Sequence, residues 1–146
     1  MGICEVFPGA VNSIPSRVRL SADIRDTDLE RRDSVIKAME YACSPISAKR
    51  KVAIHIELLN ADAPAQCAPT VVEALSNACR RQQQKFLPIV SRAYHDALFM
   101  SRIAPTAMLF IPCRGGYSHR PDEYASPEDI ARGTLILAEA LATLSE

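Results

Sequence analysis

Tryptophan is absent from the 146 residues, and aromatic side chains make up only 5% of them. A chain so poor in rings has little on which to stack bases, so a platform for single-stranded nucleic acid is not expected. Excess charge of one sign is missing too. Seventeen Lys+Arg stand against 17 Asp+Glu, the formal net charge is zero and the pI is near 6.8. That balance argues against electrostatic capture of nucleic acid or of acidic membrane surfaces. No apolar run approaches the roughly 18 residues that a membrane-spanning helix needs. The opening, Met1 to Val6, has no basic segment and no long apolar stretch, so no signal peptide is legible in it. The five cysteines (Cys4, Cys43, Cys67, Cys79 and Cys113) contain no C-x-x-C pair. A zinc knuckle or thioredoxin-like motif is therefore not indicated, and the expectation is reduced, mostly buried thiols.

What is present reads as two pieces of α/β structure. Ile3 to Phe7 is rich in β-formers and runs into Pro8-Gly9, which is turn chemistry for a hairpin. Val18, Leu20, Ala22 and Ile24 then alternate with Arg17, Arg19, Ser21, Asp23 and Arg25, the pattern of a half-buried strand with Arg25 on its polar side. Thr27 and Glu30 suit a capping box, and Leu29, Ile36, Met39 and Cys43 keep helical spacing. Ser44-Pro45 is expected to stop that helix, leaving 47–51 as a basic, solvated turn. Val52, Ile54, Ile56 and Leu58 predict a second alternating strand. Periodicity lapses at 60–65, which places a boundary there, with units 1–62 and 63–146.

Beyond the boundary, Pro69 opens a helix with Val71, Val72, Leu75, Ala78 and Cys79 as its apolar stripe. Phe86 to Val90 predicts a short strand, 94–103 a short helix, and Ala107 to Ile111 a strand buried on both faces. Ser126, Pro127 and Asp129 supply an N-cap, a first-turn proline and a capping box for a last helix. Its expected buried stripe is Ile130, Thr134, Leu137, Leu141 and Leu144. The second unit has too few strands for a free-standing α/β sheet with helices on both faces, so the chain reads as a fragment.

Chemistry narrows to a few residues. Of three histidines, His55 falls on the polar phase of a predicted strand and reads as an ordinary solvent-side residue. His119 lies in a Gly115-Gly116 loop just past a buried strand, where α/β folds place ligands, and the paired glycines let backbone approach a bound group. The bland alternative is a loop histidine capped by a carboxylate. His95 also follows a predicted strand. A hydrolytic metal site needs three or more N/O ligands per ion, and no His-x-Asp, His-Glu-x-x-His or Glu-Glu pair is present. Serine nucleophile elbows, P-loops and dinucleotide fingerprints are missing as well. By pattern alone the chain is not a self-sufficient catalyst.

Several stretches nevertheless carry a resemblance. They are Ala10-Val11-Asn12-Ser13-Ile14-Pro15, Asp23-Ile24-Arg25-Asp26, the run from Ser91 to Ala97, and Phe110-Ile111-Pro112-Cys113 leading into Gly116-Tyr117-Ser118-His119-Arg120-Pro121. Tyr124 to Asp129 extends the match. In this order the chain resembles the C-terminal part of the two-metal amidohydrolases that act on ureidoglycolate, allantoate and N-carbamoyl-L-amino acids. The Tyr94-His95 pair and the Ile-Pro-Cys followed by Gly-Tyr-Ser-His look like the plant-type ureidoglycolate members, since the other relatives typically have glycine where Tyr94 stands.

The resemblance implies an α/β (α+β) fold. Residues 1–62 would be part of an open-faced α/β sandwich lid that also forms a homodimer, and 63–146 the C-terminal segment of a metallopeptidase-like α/β catalytic domain. It implies manganese, with His119 as a metal ligand. Asn12 and Arg25 would grip the carboxylate of a small ureido-carboxylate substrate, Tyr94 and His95 would contact it in the cleft, and Gly115 and Gly116 would bring backbone amides near it. The implied reaction is hydrolysis of the ureido C–N bond of ureidoglycolate, in allantoin (purine) catabolism, yielding glyoxylate, ammonia and carbon dioxide. Resemblance to the plant members implies the endoplasmic reticulum. The family's other metal ligands and its general base have no counterpart here, so inactivity of the chain by itself is expected. The alternatives are an allantoate or N-carbamoyl-L-amino-acid member, or, in another class, a non-catalytic dimerisation, regulatory or carboxylate-binding protein.

Overall fold

The structure, a computed structural model, describes residues 2–145. They form two compact units that divide after Pro64.

The first unit opens with a hairpin. Strand β1 (Ile3–Phe7) pairs antiparallel with β2 (Arg17–Ser21), with Val6 opposite Val18 and Cys4 opposite Leu20. The Ser16 N–H donates to the Phe7 carbonyl at 2.8 Å and closes the loop, while the Arg17 guanidinium lies 4.3 Å over the Phe7 ring. The pairing ends at Ser21, so Ile24 and Arg25 lie beyond the strand instead of extending it. Val18 and Leu20 are more than half exposed. Alternation placed them on one face, but burial needs a layer against that face.

Helix α1 spans Leu29–Arg50 and is capped by Asp28, whose side chain accepts the Arg31 N–H, in place of the expected Thr27–Glu30 capping box: the cap sits one residue later, where a carboxylate meets the third N–H beyond it. It runs straight through Pro45, against expectation. A proline inside a helix removes one hydrogen bond but does not forbid the turns around it. The stop comes six residues later, where Lys51 turns left-handed at φ 54° and its N–H reaches back to the Ser47 carbonyl. The basic 47–51 run is thus the helix's last turn, and Lys49 and Arg50 there complement the helix dipole. Arg32 is the one buried residue described in this unit, and it donates to the carbonyls of Asp62 and Ala61 and to Asp33. The predicted strand from Val52 to Leu58 is not formed, because a strand needs a ladder partner and the described sheet contains only β1 and β2.

The second unit holds the hydrophobic core. Helix α2 (Pro69–Arg81) packs on α4 (Pro127–Leu144), with the short α3 (Ala97–Met100) between them in sequence. Ala74, Leu75, Ala78, Cys79, Ile136 and Ala140 form the core, and Val71, Ala107 and Leu109 pack against it. Ser126 caps α4 as expected, accepting the Asp129 N–H at 3.0 Å. The expected stripe of α4 is overturned: Ile130, Leu137, Leu141 and Leu144 are exposed, and Gly133, Ile136 and Ala140 are buried instead. Small residues let two backbones approach closely, and Ala78 and Ala140 meet there almost wholly buried. Gly133 is similarly constrained, since a Cβ on it would lie 2.5 Å from a methyl of Ile111. The segments 86–90 and 107–111 form no strands; Ala107 to Leu109 are only half buried and Phe110 is exposed. Of the cysteines, all free, only Cys79 is buried, contrary to expectation, and burial pushes its thiol pKa up.

Outside this core, Glu139 of α4 accepts from the Arg81 guanidinium and from Gln82 Nε2 of the α2 C-terminus. Those two hydrogen bonds hold its carboxyl below the usual carboxylate range. A depressed folded-state pKa stabilises fully above the unfolded value, about 4.3 for glutamate, and the contribution is lost as pH falls through the folded value. Glu139→Gln is therefore expected to lower the neutral plateau of a urea-midpoint-against-pH curve and to flatten its acid limb by the same amount, leaving the acid end unchanged. An unchanged acid limb would disprove the coupling.

Candidate functional site

Asn12 and Arg25 belong to the first unit. Asn12 is exposed in the turn that Ser13 closes with an N–H to the Ala10 carbonyl. Arg25 sits past the end of β2, where its Nε and Nη2 grip the Asp23 carboxylate at 2.5–3.1 Å. That pair raises the arginine pKa and lowers that of Asp23, chiefly through the hydrogen bonds. The guanidinium fork thus binds a carboxylate already. A ligand carboxylate would have to use its other edge or displace Asp23. Asp26, beside it, is held well below the usual carboxylate range by Arg31 and by the Asp28 N–H.

Tyr94, His95, Gly115, Gly116 and His119 belong to the second unit. His95 is half buried, stands just before α3, and tilts against the Phe110 ring at 5.8 Å between centroids. Its Nε2 lies 2.7 Å from Ser91 Oγ. Ser91 carried no signal in the sequence beyond its spacing, four residues before the histidine. Tyr94 is exposed and meets Phe99 edge-on at 5.8 Å.

The loop from Cys113 to Ser126 is closed at its base by the Arg114 N–H on the Tyr124 carbonyl at 2.8 Å, with the Arg114 guanidinium 4.3 Å over the Tyr124 ring. Gly115 and Gly116 turn left-handed at φ 64° and 67°. A Cβ at Gly115 would also touch the Tyr117 ring at 3.0 Å, so glycine is required there on both counts. His119 is left-handed as well, at φ 59°, a rare conformation for a residue with a side chain. The Glu123 carboxylate accepts the His119 backbone N–H at 2.9 Å, and Arg120 pairs with Asp122 at 2.8 Å through both forks. The loop thereby presents an exposed imidazole on a turn that its own carboxylate secures. A cavity of about 250 Å³ lies at the loop's base, lined by Pro112, Cys113, Arg114, Tyr124, Ser126 and Asp129, and none of the expected site residues lines it.

Among the described residues no group of three His, Cys, Asp or Glu side chains stands together as a metal ion requires. His119 alone does not fit a metal pair.

Comparison with known proteins places the chain. Residues 4–143 match the family described as Peptidase family M20/M25/M40. Ureidoglycolate hydrolase of Oryza sativa subsp. japonica is 45% identical over 146 residues, covering 99% of this chain and 30% of the relative. N-carbamoyl-L-amino-acid amidohydrolase of Pseudomonas sp. (strain NS671) is 37% identical over 141 residues, covering 97% of this chain and 34% of the relative. Crystal structures of AtUAH in complex with glyoxylate and with (S)-hydroxyglycine each align at a TM-score of 0.86 and 46% identity, over 99% of this chain and 34% of theirs. The chain thus spans about a third of the length of these relatives. With nearly its whole length matched, the chain belongs to the Peptidase family M20/M25/M40.

Proposed function

We propose that this chain is the C-terminal part of an amidohydrolase that cleaves the ureido C–N bond of ureidoglycolate, releasing glyoxylate, ammonia and carbon dioxide. The observation that carries the reading is the likeness over 99% of the chain to AtUAH, whose structures hold glyoxylate and (S)-hydroxyglycine. The chain's residues suit binding and orientation. Arg25, with Asn12, would take the substrate carboxylate in exchange for the Asp23 carboxylate that its guanidinium grips. Tyr94 and His95 would face the rest of the substrate, and the Gly115-Gly116 turn would offer backbone N–H groups. His119 is the one metal ligand this chain would contribute. Family M20 amidohydrolases are generally metal-dependent, and manganese is the metal the resemblance favours. The remaining ligands would have to come from outside these residues. Pairing of two lids into a homodimer is supported by the β1–β2 sheet, which has no further strand partner among the described residues.

Two measurements test this. An immunoblot against a peptide from α4 is expected to show a single endogenous band near three times 16.0 kDa. A lone band at 16.0 kDa would instead favour a binding or regulatory protein. In the whole polypeptide, Arg25→Ala is expected to raise KM for ureidoglycolate by roughly 10- to 150-fold, the size of a lost charge-assisted hydrogen bond of about 1.5–3 kcal/mol. An unaltered KM would remove Arg25 from the carboxylate site.

A further inference from the structure

We propose that Ser91 is a positioning residue that fixes His95 as a neutral imidazole with its proton on Nδ1, aimed at an oxygen acceptor of the substrate. The inference rests on the reading above for its role and on this structure for its geometry. Ser91 Oγ lies 2.7 Å from His95 Nε2, and the same oxygen stands 3.3 Å from the Ala93 N–H. A hydroxyl has one proton to give. The Ala93 N–H donates to its oxygen, and among the described residues Nε2 is the one acceptor that the Ser91 hydroxyl meets, so the Ser91 proton is assigned to that contact. Nε2 then accepts, and the ring's own proton resides on Nδ1. Nδ1 has no hydrogen-bond partner among the described residues, and Phe110 packs beside the ring. The arrangement therefore offers one oriented N–H donor, suited to a carbonyl or carboxylate oxygen.

A serine-nucleophile reading of the same pair is weaker. A nucleophile–base couple needs a third group to orient the base from its far nitrogen, and no carboxylate is bonded to Nδ1 among the described residues.

The ring tautomer is read directly in two-bond 1H–15N correlation spectra of the uniformly labelled 146-residue chain. Expected is an Nδ1–H, Nε2-acceptor pattern for His95, conversion toward the Nε2–H form in Ser91→Ala, and retention in Ser91→Thr. An Nε2–H ring in the unsubstituted chain, or a Ser91→Ala ring that keeps Nδ1–H, overturns the proposal. If Ser91→Ala fails to fold, the unsubstituted and Ser91→Thr spectra decide alone. In the whole polypeptide, Ser91→Ala should lose about two- to tenfold in kcat/KM toward ureidoglycolate, the size of one neutral hydrogen bond, with Ser91→Thr restoring it. A correct tautomer with unchanged kcat/KM would overturn the substrate-facing role. Absence of any ureidoglycolate activity in the whole polypeptide would instead refute the underlying amidohydrolase reading.

Discussion

Ammonia release from ureidoglycolate by the 146-residue chain is expected to stay at the blank level, with or without added manganese. Relative to a complete amidohydrolase this is a loss of at least about a million-fold, the lower end of ordinary enzymatic acceleration. Neither a metal-pair route nor a covalent route to hydrolysis is complete among the described residues. A metal pair needs several N/O ligands per ion, whereas the described residues hold no cluster of three. A covalent route needs a nucleophile, a base and an orienting carboxylate, whereas the Ser91–His95 contact has no third member among the described residues. A coupled ammonia assay checks this, and turnover approaching that of a full-length relative would show that the chain assembles a site by means this structure does not contain.

Leu75→Ala is expected to destabilise the second unit by about 2–5 kcal/mol, a large share of the roughly 5–15 kcal/mol typical of a whole domain. The reason is the make-up of the core. Three of its six buried residues are alanines and one is Cys79, so Leu75 and Ile136 supply its only large aliphatic side chains. Leu141→Ala, on the exposed face of α4, is expected to cost no more than about 0.5 kcal/mol, since that side chain is 58% exposed. Urea denaturation of both variants measures the difference. Equal costs would mean that α4 buries the leucine face after all.

That contrast marks where reading the sequence succeeded and where it could not. Local chemistry was legible. Ser126, Pro127 and Asp129 specify the start of α4 because a cap is satisfied within four residues. Pro69 opens α2 without a side-chain cap, because a proline suits the first helical turn. Ile3 to Phe7 and Arg17 to Ser21 pair as a hairpin because the partners are near in the chain. Family membership was legible too, since it rests on short motifs in order. At the candidate site, the histidines and glycines stood out by type, whereas the Glu123 carboxylate that accepts the His119 backbone N–H carried no signal of its own. Ser91 and Asp23 were not foreseen as partners, because which oxygen meets a ring or a guanidinium depends on side-chain direction and not on spacing alone.

By itself, then, the sequence determined where α2 and α4 begin, which hairpin closes, and to which family the chain belongs, all matters of contact between close neighbours or of ordered motifs. Only the tertiary structure decided which face of α4 is buried. Ile130, Leu137, Leu141 and Leu144 are the more hydrophobic stripe, yet Gly133, Ile136 and Ala140 face α2, because close packing of two helices selects small side chains at the crossing. It also decided that α1 continues through Pro45 and that Val52 to Leu58 forms no strand. Periodicity states which surface a segment can bury, and burial itself requires another surface to meet it.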